Sequence, residues 1–130
     1  MTAVKELKPG LVGTASVTVV PENTAKAVGS GLLPVFGTPS MCALMEEAAC
    51  NAIDGCLEDG MGSVGISLDI THDAPSDIGQ KVTATATLVA VDGRKLTYEL
   101  KVVDDKKPVG KGKHERFIIN KEKFMAKLKK

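Results

Sequence analysis

One apolar stripe at helical spacing, standing alone among strand-like runs, is the feature that most constrains this chain. Over residues 40–57, Met41, Leu44, Met45, Ala48, Ala49, Ala52, Ile53 and Cys56 recur every three or four positions, the period of a helix with one buried face. Four runs of strand composition follow, at 64–71, 81–91, 95–103 and 109–120. Asp92-Gly93 is a hairpin signal between two of them, and Asp104-Asp105-Lys106-Lys107 is a second polar turn. In 81–91, Val82, Ala84, Ala86, Leu88 and Ala90 alternate with Thr83, Thr85, Thr87, Val89 and Val91. That alternation predicts a sheet with one buried and one partly solvated face. A further strand is expected at 11–20, where Val12, Val17, Val19 and Val20 mix with Thr and Ser before Pro21 ends the run. A strand, a long helix and four antiparallel strands make an α+β layout.

The connections carry their own signals. The stretch 25–36, with Gly29, Gly31 and Pro34, reads as a loop long enough to be functional. Thr38-Pro39 marks the helix start: the residue before proline is pushed out of the α region, and proline suits the first helical position. Thr38 is therefore expected to be the N-cap, with Gly60 and Gly62 ending the helix. The Lys-rich segment 121–130 is expected to form one short amphipathic helix around Phe124 and Leu128. With no repeat, linker or second core, residues 1–130 are expected to form one domain.

Several function classes are disfavoured. Seventeen basic residues against sixteen acidic ones, with 3% aromatics and no Trp, provide neither a basic face nor a stacking platform for nucleic acid. Cys42, Cys50 and Cys56 are odd in number, share one expected helix and lack C-x-x-C spacing. A disulfide framework or zinc site is not expected, and a reducing cytoplasm is. Residues 1–10 are polar and no apolar run approaches a membrane span. Gly60 to Gly65 matches G-x-G-x-x-G, yet it follows a helix and opens a strand, the reverse of the dinucleotide fingerprint. It reads as a helix stop, and no cofactor is expected. The absence of G-x-S-x-G excludes an α/β-type serine hydrolase.

Glu46 is the informative residue. At roughly 100° per residue, Glu47, Asn51, Asp54 and Glu58 cluster opposite the apolar stripe, whereas Glu46 falls among Cys42, Cys50, Ile53 and Leu57. A carboxylate there is either paired or pushed toward its neutral form, or it snorkels to water from the stripe's edge. His72 ends a strand, and His114 sits among charges in Lys113-His114-Glu115-Arg116, which suggests an exposed edge. Two histidines without neighbouring ligands give no metal site.

Taken in order, Val35-Phe36-Gly37-Thr38, Leu44-Met45-Glu46, Gly65, Thr71-His72, His114-Glu115-Arg116 and Glu122-Lys123-Phe124 resemble the fluoroacetyl-CoA thioesterase family of hot-dog proteins. The resemblance runs from about residue 11 to the C-terminus and includes the steps from Thr38 to Glu46 and from Glu46 to His72. It implies the hot-dog fold, an antiparallel sheet wrapped around one long central helix, and hydrolysis of a short acyl-CoA substrate by a homodimer or higher oligomer. Thr38, Glu46 and His72 match the family's catalytic positions. Gly65 matches the glycine whose amide approaches the thioester carbonyl, and Arg116 an arginine beside it. Val35, Phe36 and Leu32 fall in the substrate-binding segment. Leu32 stands where the fluoroacetyl-specific member has an aromatic lid, so the resemblance implies general acyl-CoA hydrolysis rather than specificity for the fluorinated substrate.

Thioester hydrolysis needs a nucleophile, stabilisation of the developing oxyanion and proton management. These fall to Glu46 as base or nucleophile, the Gly65 amide, and His72, with Thr38 orienting the acyl group, the water or His72. The competing readings are a non-catalytic acyl-CoA sensor and an acyl-thioester dehydratase or hydratase on the same fold. Helix geometry adds one expectation: eight residues separate Thr38 from Glu46 by about 12 Å, so the two side chains of one chain should not touch.

Overall fold

The computed structural model describes residues 5–129. Strand β1 (Val12–Thr18) is followed by a 3₁₀ turn (Pro21–Asn23) and a short helix α1 (Ala25–Val28). Then come the long helix α2 (Thr38–Ala52), four strands, β2 (Met61–His72), β3 (Lys81–Asp92), β4 (Lys95–Asp104) and β5 (Pro108–Asn120), and helix α3 (Lys121–Leu128). The strands form one antiparallel sheet in the order β1-β3-β4-β5-β2. Among the described residues, strand β2 is thus hydrogen-bonded to one neighbour only.

Helix α2 lies on one face of this sheet. Met41, Leu44, Met45, Ala48, Ala49 and Ala52 are its buried residues, as the stripe predicts. They meet Val82, Ala84, Ala86 and Leu88 of β3 and Leu96, Tyr98, Leu100 and Val102 of β4, all buried. The alanines let helix and sheet approach closely, and Gly13 of β1 completes the fit: any Cβ there would run into the backbone of Ala48 and Ala52. The threonines of β3 face the half-solvated side. A register shift between Leu88 and Ala90 breaks the alternation, so Ala90 is exposed and Val91 packs against the core.

Three boundaries differ from expectation. The helix ends at Ala52, before a turn in which Gly55 takes a positive φ of 80°, so Cys56 lies beyond it. The 25–36 stretch contains α1, capped by Thr24, whose Oγ1 accepts from the Ala27 amide at 3.3 Å. Thr38 is the first helical residue rather than the N-cap. That position belongs to Gly37 (φ −78°, ψ 142°), which supplies no side-chain cap. Gly37 is there for space, because a Cβ would come within 3.1 Å of the Ala25 amide nitrogen.

Candidate active site

Helix α2 and strand β2 carry two polar clusters at separate places. The first joins the helix start to the end of β2. Thr38 Oγ1 lies 2.8 Å from His72 Nδ1, so the hydroxyl that was expected to cap the helix is engaged with the imidazole. His72 Nε2 is buried and has no hydrogen-bond partner among the described residues. Burial lowers the His72 pKa below its ordinary value, against the opposing pull of the Asp73 charge and the Ala74 backbone. A cleft of about 310 Å³ opens here, lined by Ala25, Val35, Phe36, Thr38, His72 and Pro75 among others. Phe36 is fixed as its wall: its amide donates to the Ser76 carbonyl at 2.9 Å, and the Ser76 hydroxyl donates to Asp104 Oδ2 at 2.8 Å. Leu32 is 89% exposed and is not among the cleft's lining residues.

The second cluster surrounds Glu46. Arg116 Nη1 donates to Glu46 Oε2 at 3.4 Å, so the carboxylate on the apolar stripe is paired, and its side chain remains 43% exposed. Arg116 is itself held by Ser63, with Nε donating to the hydroxyl at 2.8 Å and Nη2 to the carbonyl at 2.9 Å. Gly65, the cross-strand partner of Arg116, faces the same carboxylate: a Cβ there would stand 2.6 Å from Glu46 Oε2. Only glycine leaves that approach open. Burial and the Glu46 charge both push the neighbouring Cys42 thiol up, away from thiolate. Cys42, Cys50 and Cys56 are all free.

His114 is the correction. It is 1% exposed rather than at an open edge, with Nδ1 2.8 Å from the Ser67 carbonyl and Nε2 3.2 Å from Arg116 Nη1. Its ring stacks on Tyr98 at 5.9 Å. Burial lowers its pKa, aided by the Arg116 charge and opposed by the Ser67 carbonyl and Glu46. The signal that would have found it is period two in β5. Lys111, Lys113 and Phe117 are exposed, whereas His114 is in phase with buried Arg116 and Ile118.

Thr38 and Glu46 make their polar contacts with different partners, and the two clusters lie about 12 Å apart along α2. One antiparallel five-stranded sheet packed on one long helix is the hot-dog fold of the thioesterases it superposes on. The family of FlK, fluoroacetyl-CoA-specific thioesterase, matches residues 19–122, and the chain belongs to it. It is 42% identical to the fluoroacetyl-CoA thioesterase of Streptantibioticus cattleyicolor over 95 residues, 73% of this chain and 68% of that protein. A solved structure of the fluoroacetyl-CoA thioesterase FlK superposes with a TM-score of 0.91 at 34% identity, covering 96% of this chain and 97% of the other. A mutant of that enzyme was solved with fluoroacetate and CoA; it matches at 35% identity and a TM-score of 0.85, covering 91% of this chain and 99% of that one. A thioesterase superfamily member from Thermus thermophilus, 24% identical with a TM-score of 0.88 over 97% and 93% of the two chains, shares the fold. Among the described residues no helix is long and apolar enough to cross a membrane.

Proposed function

We propose that this acyl-CoA thioesterase hydrolyses short-chain substrates at a site built from Thr38, Glu46 and His72, and that two copies share each site. The observation that carries this reading is the separation of the clusters. Thr38 with His72, and Glu46 with Gly65 and Arg116, are each ordered by their own contacts, yet about 12 Å of helix lies between them. A second copy brings one cluster opposite the other. Strand β2 is suited to that role, because it ends the sheet and Gly65 and Ile66 are exposed on it. The full chain acts as one such domain, and three free thiols favour the reducing cytoplasm.

In this reading the Gly65 amide receives the charge that develops on the thioester oxygen. Glu46, oriented by Arg116, takes a proton from water as it attacks the carbonyl carbon, or attacks that carbon itself to give an acyl-Glu46 anhydride that water then hydrolyses. Collapse breaks the C–S bond, and the CoA thiolate leaves. Thr38 fixes the His72 ring through Nδ1, which leaves Nε2 to exchange a proton with the leaving group or the water. The cleft of about 310 Å³ beside His72 suits a small acyl group. Leu32, out in solvent, supplies no aromatic lid, so acetyl-, propionyl- and butyryl-CoA are the expected substrates without preference for fluoroacetyl-CoA. Free-thiol release across those four thioesters tests this. A strong preference for the fluorinated one overturns the specificity reading, and tight binding without release favours a sensor.

A further inference from the structure

We infer that His114 is a positioning residue for the hydrolysis. In its neutral, Nδ1-protonated form it pins the β2 bulge that turns Gly65 toward Glu46 and braces Arg116 against the same carboxylate. This rests on the reading of Glu46 and Gly65 given above and adds a residue to it.

The hydrogen-bond chemistry fixes the ring's state. Nδ1 lies 2.8 Å from the Ser67 carbonyl oxygen, which only accepts, so Nδ1 must carry a proton. Nε2 lies 3.2 Å from Arg116 Nη1, which only donates, so Nε2 must present its lone pair. A second proton would set two donors and two cations against each other in a site where the ring is 1% exposed. The other charged group facing the ring is Glu46, whose Oε2 is 4.0 Å from Nε2. Tyr98 stacks on the ring and, with burial pushing its own pKa up to about 12, stays neutral.

The Ser67 contact is where the ring acts on the strand. Gly65 pairs with Arg116 and Ser67 with Glu115, so Ile66 is an extra residue in β2. Side chains alternate along a strand, and one bulged residue resets the phase. Because of Ile66, Gly65 faces Glu46 while Leu68 and Ile70, in the opposite phase of an unbroken strand, still pack against the core. Ser67 is the first residue after the bulge, and His114 holds its carbonyl. One imidazole therefore fixes both the strand segment that carries Gly65 and the guanidinium that pairs with Glu46.

Two measurements test this. In uniformly ¹⁵N-labelled wild type at pH 7, the ring nitrogens of His114 should show the neutral Nδ1–H form; His72→Asn assigns the only other histidine. An Nε2–H or doubly protonated ring overturns the proposal, whatever the role of Glu46. In kinetics, His114→Phe keeps the ring volume and loses both bonds, and kcat should fall about a hundredfold with KM nearly unchanged. His114→Gln offers an oxygen to Arg116, and His114→Asn a donor to Ser67. Each should recover about tenfold of that loss. If all three variants are folded and equally impaired, or if the Phe variant keeps full activity, His114 positions nothing. Should the Phe variant not fold, recovery in Gln and Asn relative to His114→Ala decides in the same way.

Discussion

Thr38 Oγ1 stands 2.8 Å from His72 Nδ1, and Gly37, not Thr38, occupies the N-cap position of the helix that Thr38 begins. This separates two explanations of one residue. A capping threonine is worth about 1 kcal/mol of stability; a threonine that orients an imidazole is worth turnover.

Thr38→Val keeps the shape and removes the hydroxyl. Because the hydroxyl caps nothing, the denaturation midpoint should move by less than a lost cap would give. The rate constant kcat should fall about a hundredfold, and Thr38→Ser should restore most of it. A variant that is destabilised but fully active would return Thr38 to a structural role.

Glu46→Gln retains an oxygen for Arg116, so the fold should survive while kcat drops at least about a hundredfold. Near-normal activity would leave Glu46 as a partner of Arg116 and nothing more.

Gly65→Ala places a methyl 2.6 Å from Glu46 Oε2. The carboxylate is half exposed and at the end of a flexible chain, so it can swing away at little cost in stability. Activity should fall by an order of magnitude or more as the base leaves its place. An alanine variant as active as wild type would remove Gly65 from the site.

Shared sites predict complementation. If each site joins Thr38 of one copy to Glu46 of another, co-refolding inactive Thr38→Val with inactive Glu46→Gln makes hetero-pairs with one intact site. Random pairing gives about a quarter of wild-type activity. No recovery, or a monomer by light scattering at full activity, rejects the shared site.

The pH dependence of stability has a defined sign. His72 and His114 both titrate below their ordinary value of 6.5 in the folded chain, so below that pH the unfolded chain binds more protons. Stability contributed by these rings is fully present above pH 6.5 and is lost as pH falls toward their folded values. Asp104 adds a lower window. Burial works to raise its pKa, but the Lys107 ammonium, the Lys106 and Lys107 amides and the Ser76 hydroxyl outweigh it and hold the carboxyl well below the usual range. Its contribution is present above about pH 4 and disappears under stronger acid. Urea midpoints from pH 8 to pH 3 should decline in those two steps; a rise between pH 7 and 5 would contradict the histidine assignment.

The sequence by itself determined the order of the strands and the two longer helices, the buried face of α2 and the odd placement of Glu46, because periods of 3.6 and 2 are set by neighbours a few positions apart. It also marked the turn at Asp92-Gly93, where Gly93 has a φ of +61°, but not the helix stop, since α2 ends at Ala52 and Gly62 is already part of β2. Tertiary structure alone decided what each polar group meets. Thr38 finds a partner 34 residues away and Glu46 one 70 residues away, and such distances depend on strand register. The bulge at Ile66 shows the physical reason: one extra residue, silent in composition, inverts which side chains of β2 face the helix. His114 departs from expectation for a related cause, since its adjacent charges, Lys113 and Glu115, lie on the opposite face of β5, whereas Arg116 shares its buried face. The single step along β5 from Lys113 to His114 crosses from solvent to the interior, and only the packed sheet says which is which.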